Sequence, residues 1–245
     1  MAPMTSQCSQ CPLRATGAFA EMTPAQLEAT QRFKTSEVSV IAGADVLSQG
    51  QKSDYLYTVL RGMGLRQVTL PDGARQVIGF VLPGDFLGLQ AGVMGEMGHS
   101  VVATTDMMLC RFRREDLWAL FGTCPERAYD ITHLAAREEH MLGEALAVLG
   151  QKPALERVAW ALHKLFTRLT GLGLGSDGVV ALPFRQQDLA DALGLSLVHT
   201  NKTLAKLRDT GVANWTGRRL VVPDPSALLE LSDVPQADLP PRPLI

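Results

Sequence analysis

Long apolar runs are missing from this sequence: no stretch approaches the ~18 residues that a membrane span needs, so no membrane segment is expected. The opening MAPMTSQCSQCPLRATG lacks both the basic start and the apolar centre of a secretory signal, which points to the cytoplasm. Cysteine is scarce, four in 245 residues, too few for a disulfide framework, and structural disulfides are not expected in the cytosol. No phosphate-binding loop, dinucleotide fingerprint or Ser-His-Asp arrangement occurs. Of the five histidines, His99, His133, His140, His163 and His199, only His99 lies in a β-rich region, so a metal enzyme built on a small barrel has no ligand set. Catalysis is therefore not expected. Net charge is only −2, and the 46% hydrophobic and 20% charged content is that of a globular protein long enough for two domains.

What is present concentrates between Phe184 and Arg208. Leu189 and Leu193 lie four residues apart on a short helix, and the small Ala190 leaves room for a second helix to cross. Gly194 can take the left-handed conformation that ends a helix, Leu195 fills the corner, and Ser196 can cap a second helix running to about Asp209. Its inner face is expected to be Leu197, Leu204 and Leu207, which leaves His199, Asn201, Lys202 and Lys206 outward, as a helix entering a major groove requires. Asn can bind adenine bidentately, and Lys can reach guanine or phosphate.

Two short β-like runs, Val212–Trp215 and Arg219–Val222, flank Thr216-Gly217 and read as a hairpin. A hairpin directly after the second helix makes a winged helix-turn-helix, with Arg218 and Arg219 placed to touch phosphate. The expected DNA-contacting set is thus Ser196, His199, Asn201, Lys202, Lys206, Arg218 and Arg219. Charge agrees with this: residues 151–222 carry ten Lys or Arg against five acids, net +5, on a remainder of −7. Such a basic module binds duplex DNA in a steeply salt-dependent way.

Upstream, Thr23 and Pro24 open a helix as N-cap and first residue. From Glu37 to Arg113 short strand-like runs alternate with Gly-bearing turns, the pattern of a β-sandwich or barrel. Pro125 then begins a long helix to about Leu149. On it Ala128, Ile131, Ala135, Glu138, Leu142, Ala145 and Leu149 alternate by three and four residues, which predicts a seam shared with a second copy. Glu138 facing its twin would weaken that seam unless it swings out or pairs with Arg137. Gly150 to Pro153 is the expected domain boundary and hinge, and a further helix runs to about Thr170. The expected division is a Cys-containing segment to residue 22, a β-domain over 23–123, a dimerisation helix over 124–150, a winged helix-turn-helix over 151–232, and a Pro-rich disordered tail over 233–245.

In this order of parts the chain resembles the Crp/Fnr family of bacterial transcription regulators, from about Gln26 to Asp224. The most specific matches are Leu82-Pro83-Gly84-Asp85-Phe86-Leu87-Gly88, Glu156-Arg157-Val158-Ala159, Gln187-Asp188-Leu189-Ala190 and Leu193-Gly194-Leu195-Ser196. The resemblance implies an α+β chain: a cyclic-nucleotide-binding-like β-roll of jelly-roll type, a dimer helix and a DNA-binding domain. It further implies a homodimer on a palindromic promoter site, with RNA polymerase as a further partner. Members that bind cyclic AMP use a Glu after the Gly-Asp-Phe-x-Gly turn and an Arg followed by Ser or Thr; here those positions hold Leu89, His99 and Ser100. Without the charged clamp that Arg provides, cyclic AMP is not expected as ligand, and His99 reads as a surface turn residue.

Oxygen-sensing members hold an iron–sulfur cluster on three N-terminal cysteines and one in the β-roll. Cys8-x-x-Cys11 and Cys110 match three of these positions, the third N-terminal Cys is missing, and Cys124 is the one spare thiol. A C-x-x-C pair serves clusters, zinc, redox disulfides or plain packing alike, so the role of Cys8, Cys11, Cys110 and Cys124 stays open. Where those members present Glu, Ser and Arg to the bases, this chain has Val198, Asn201 and Lys202, so the DNA sequence read must differ. A rival reading is a ligand-binding β-roll acting through protein partners with no duplex binding. A gel-shift titration against salt separates the two.

Overall fold

The computed structural model describes residues 6–235 and 240–245. Two short 3-10 turns, Cys8–Gln10 and Pro12–Ala15, precede helix α1 (Pro24–Phe33). As the sequence predicts, Thr23 caps α1: its hydroxyl accepts from the Gln26 amide at 3.2 Å, and the Gln26 side chain accepts from the Thr23 amide at 2.8 Å. A cap of this kind contributes ~1 kcal/mol.

Eight strands follow: β1 (Lys34–Val40), β2 (Asp45–Leu47), β3 (Tyr55–Arg61), β4 (Gly64–Thr69), β5 (Arg75–Val81), β6 (Phe86–Leu87), β7 (Ser100–Ala103) and β8 (Met107–Arg113). They form two antiparallel four-stranded sheets, in the orders β1-β8-β3-β6 and β2-β7-β4-β5. Val59, Val81, Leu87, Val101 and Leu109 fill the space between the sheets. Strand β8 is central, pairing with both β1 and β3, and so carries few polar residues inward. Helix α2 (Leu89–Met94) interrupts the roll, bounded by Gly88 and Gly95, both at positive φ.

Helices α3 (Leu117–Thr123) and α4 (Pro125–Gln151) lead out of the roll. Helix α4 continues through the predicted break at Gly150, and α5 (Ala154–Gly171) starts after Lys152-Pro153. Strands β9 (Gly175–Ser176) and β10 (Val179–Ala181), helices α6 (Gln186–Leu193) and α7 (Leu197–Asp209), strands β11 (Asn214–Thr216) and β12 (Arg219–Val221), and α8 (Pro225–Ser232) complete the second domain. Its sheet order is β11-β12-β10-β9. Among the described residues no helix is long and apolar enough to cross a membrane.

The boundary is not a free hinge. Leu65, Val77 and Leu82 of the roll share one apolar cluster with Val158, Leu162 and Phe166 of α5 and with Leu189 and Leu193 of α6. Phe80 and Phe184 meet edge to face at 4.8 Å. Arg75, at the start of β5, reaches Asp188 at 2.8 Å and also pairs with Asp191, both on α6.

The seam expected on α4 is partly misplaced. Ile131 is buried against Phe33, Leu56 and Phe112 of its own chain, and Leu149 lies on the core of the second domain. Glu138 pairs with Arg66 of β4 at 2.6 Å rather than facing a twin or Arg137. A straight helix covering its own roll turns those positions inward, and what it leaves exposed is Thr132, Ala135, Glu139, Leu142 and Leu146, with Ala128 half-buried at the head of the stripe. Of the expected seam, Ala135 and Leu142 are exposed and Ala128 is half-buried, whereas Ile131, Glu138 and the half-buried Ala145 lie off the exposed stripe, whose other members are Thr132, Glu139 and Leu146. The expected disordered tail also needs correction. Residues 236–239 lie outside the described part, but Leu244 and Ile245 are buried at 3% and 5% exposure.

Candidate nucleic-acid interface and sensor cavity

The helix-turn-helix forms where the sequence places it. Gly194 ends α6 at φ 62° and ψ 37°, the left-handed conformation expected of it. The Ser196 hydroxyl accepts from the His199 amide at 3.2 Å and caps α7. Asp188 accepts from the Arg185 amide at 2.8 Å and so holds the first turn of α6. The inner face of α7 is Thr200, Thr203, Leu204 and Leu207. Leu197, expected inside, is 39% exposed, because the bend after Gly194 brings Leu193 rather than Leu197 under the helix.

His199, Asn201, Lys202 and Lys206 all stand exposed on the outer face of α7, and Ser196 is exposed at its N-terminus. Arg218 and Arg219 are exposed on the turn and second strand of the β11–β12 wing. None of these six basic or amide side chains of α7 and the wing pairs with a carboxylate among the described residues. A helix with free donors toward its outer face, beside a two-armed basic hairpin, is built to meet base edges with the helix and phosphates with the wing.

A cavity of about 720 Å³ opens between the roll, α4 and α5. Leu89, His99, Arg66, Leu134, Arg137, Glu138 and Arg168 line it. His99 is not on the surface: it is 9% exposed, and burial, reinforced by the Arg66 guanidinium, pushes its pKa down to about 4. A neutral imidazole therefore stands in the cavity wall. Ser100 spends its hydroxyl on the Gln49 amide at 3.0 Å. Sequence reasoning missed the charged residues that organise this region. Asp85 is fully buried; burial raises its carboxyl, but the guanidiniums of Arg168, Arg242 and Arg66 outweigh that and hold the pKa at about 2. The one hint in the sequence was the acid inside Leu82-Pro83-Gly84-Asp85, a charge in an otherwise apolar turn.

Cys8, Cys11 and Cys110 come together around a small pocket of about 30 Å³, beside Lys34, Leu244 and Ile245. Cys124 is not with them; it lies at the start of α4, its thiol 3.5 Å from Glu126. Burial pushes the Cys8 thiol up and the Cys110 thiol to about 11, despite the nearby Lys34. Among the described residues no three His, Cys, Asp or Glu side chains converge on one metal position. The four-cysteine set therefore divides into a group of three, Cys8, Cys11 and Cys110, and a separate Cys124.

Comparison with known proteins agrees with this architecture. The profile of the cyclic nucleotide-binding domain matches residues 37–124, and that of the Crp-like helix-turn-helix domain matches residues 156–231. The transcriptional activator protein FnrL of Cereibacter sphaeroides is 30% identical over 228 residues, 91% of each chain. The nitrogen fixation regulation protein FixK of Bradyrhizobium diazoefficiens is 32% identical over 204 residues, 83% of this chain and 84% of that protein. The structure of FixK2 from Bradyrhizobium japonicum superposes with a TM-score of 0.74 at 28% identity, covering 82% of this chain and 98% of that one. With both domains matched in order and the relatives covered over nearly their whole length, the chain belongs to the Crp/Fnr family of DNA-binding transcription regulators, and is no enzyme.

Proposed function

We propose that two copies of this chain join along the outer stripe of α4 and read a two-fold symmetric promoter site, one α7 in each half-site. The observation that carries this reading is the exposed, unpaired set His199, Asn201, Lys202, Lys206, Arg218 and Arg219 on a domain of net charge +5. Dimerisation is supported by Leu142 and Leu146, 48% and 73% exposed on a helix 27 residues long. Isolated apolar side chains at three-and-four spacing are what a partner helix covers.

The signal enters, in this reading, at the cavity between roll and α4. Arg66 ties its wall to Glu138 on the dimer helix, and Arg168 of α5, which also lines it, pairs with the buried Asp85 of the roll. Anything that moves Arg66 or Asp85 therefore shifts the dimer helix and the DNA-binding domain together. The name transcriptional activator carried by FnrL supports recruitment of RNA polymerase by the bound dimer, in the cytoplasm.

The test is selection of duplexes from a random pool at low ionic strength, followed by gel-shift titration against salt. The expected result is a palindromic consensus, a dimer by light scattering, and affinity that falls steeply with salt, by about 0.9 log units per log unit of salt for each phosphate contacted. A protein that enriches no duplex at low salt would overturn the reading.

A further inference from the structure

The segment Pro240–Ile245 packs on the sensor domain and is held there by specific contacts. Its backbone pairs with the N-terminal segment in a parallel bridge between Phe19 and Arg242, with the Ala20 amide donating to the Arg242 carbonyl at 2.9 Å. The Arg242 guanidinium pairs with Asp85 at 2.5 Å, donates to the Pro83 carbonyl at 3.0 Å, and lies over the Phe19 ring at 4.9 Å. The Thr58 hydroxyl, itself buried, donates to the Ile245 carbonyl at 2.6 Å. Arg137 donates to the Pro240 carbonyl at 2.8 Å.

Arg127 is the most telling member. It is 1% exposed, the largest fully buried side chain among the described residues, and has one carboxylate partner, Asp130 at 2.8 Å. Its other terminal nitrogen donates to the Leu244 carbonyl at 2.5 Å, and its Nε has no partner. A buried cation is costly unless its donors are used, so this guanidinium is placed to hold a backbone carbonyl that only the returning segment brings. Meanwhile Leu244 enters the cluster of Leu13, Phe19 and Leu82, and Ile245 enters that of Phe33, Phe112 and Cys110. A backbone bridge to a neighbouring segment, an arginine in a charged socket and two apolar anchors are elements with which proteins hold a peptide.

The geometry points to a peptide-binding groove, formed by the Phe19 segment, β3, the Leu82–Asp85 turn and α4, whose ligand is the chain's own Pro240–Ile245 and whose occupancy seals the Cys8, Cys11 and Cys110 pocket. Leu244 and Ile245 are walls of that pocket, so removing them opens it from one side. Asp85 Oδ1 receives both Arg242 and Arg168, so release of the segment also changes the partner count of the carboxylate that holds α5. The groove thus links thiol access to the seat of the DNA-binding domain. Cys124 lies outside the pocket and is buried elsewhere, which gives an internal reference.

The test is site-resolved alkylation with N-ethylmaleimide, read by mass spectrometry on the full chain, on a variant ending at residue 239, and on the full-length Arg242→Ala variant. Without the segment Cys110 is expected to label about tenfold faster or more, with Cys124 unchanged, because only the local opening has been made easier. Arg242→Ala gives a smaller rise in the same direction, and the acetylated hexapeptide Pro-Pro-Arg-Pro-Leu-Ile, added to the shortened variant, slows Cys110 again. Equal Cys110 rates with and without the segment overturn the proposal. So does an equal rise at Cys124, which would mean general loosening, or a peptide that protects nothing.

Discussion

Arg168 Nη2 stands 2.7 Å from Asp85 Oδ1, joining a helix of the DNA-binding domain to the turn that begins the last third of the sensor roll. Asp85 is buried, and its second oxygen accepts from the Leu82 amide at 2.9 Å. Asp85→Asn leaves Arg168 and Arg242 without their counter-charge and is expected to cost about 3–5 kcal/mol, as for any buried pair broken on one side. Arg168→Ala removes one charged hydrogen bond and costs about 1.5–3 kcal/mol. Because the folded carboxyl sits near 2, below its ordinary 3.8, this stabilisation is complete above about pH 4 and fades as pH falls toward 2. Denaturant titrations of wild type and Asp85→Asn at a series of pH values check this: the gap between them should be constant near neutrality and close in strong acid.

His99 acts over a different window. Its folded pKa of about 4 lies below the ordinary 6.5, so the folded state resists protonation that the unfolded chain accepts. Stability is therefore full above about pH 6.5 and falls between there and pH 4. His99→Gln should flatten the melting temperature over that interval while leaving the Asp85 limb below it. A wild-type melting curve that does not change from pH 7 to pH 4.5 would contradict the burial of this ring.

Gly84 carries φ +84°, and a Cβ built on it would run into the Phe19 ring and come within 2.9 Å of Arg242 Nη2. Gly84→Ala therefore combines a left-handed backbone penalty of roughly 1–2 kcal/mol with displacement of Phe19. The expected outcome is a lower melting temperature together with faster alkylation of Cys110, since Phe19 and Arg242 move as one unit.

The two faces of α4 separate assembly from stability. Leu146→Lys, at a side chain 73% exposed, should shift the dimer toward monomer in light scattering with the melting temperature of the monomer little changed. Ile131→Ala, at 3% exposure, should cost about 2–5 kcal/mol in denaturant and leave the association constant alone. Reversed outcomes would restore the seam that the sequence alone suggests.

Lys202→Ala should cost about 1–3 kcal/mol on the preferred duplex and relax its sequence preference. Arg219→Ala should weaken all duplexes alike and lower the salt slope by about one. Gel shifts on the selected site and on a scrambled one decide between these roles.

The helix-turn-helix was legible because its signals are local. Gly194, the Ser196 cap and the Leu189–Leu193 pair each act within five residues, and steric preference and capping fix them before any distant contact forms. The strand-rich character of residues 37–113 was legible because Gly-bearing turns bracket its short runs. The face of α4 was half legible: spacing gave the amphipathic period, but period alone does not say which flank meets the roll.

From its letters this chain determined a basic winged helix-turn-helix, a strand-rich sensor and a long helix between them, since propensity, capping and charge are properties of short stretches. Tertiary structure alone decided that Glu138 belongs to Arg66, 72 residues away, that Arg242 belongs to Asp85 across 157, and that three cysteines meet while the fourth does not. Such pairs are set by which surfaces are driven together to bury apolar area, and a charge takes whatever partner that burial leaves within reach.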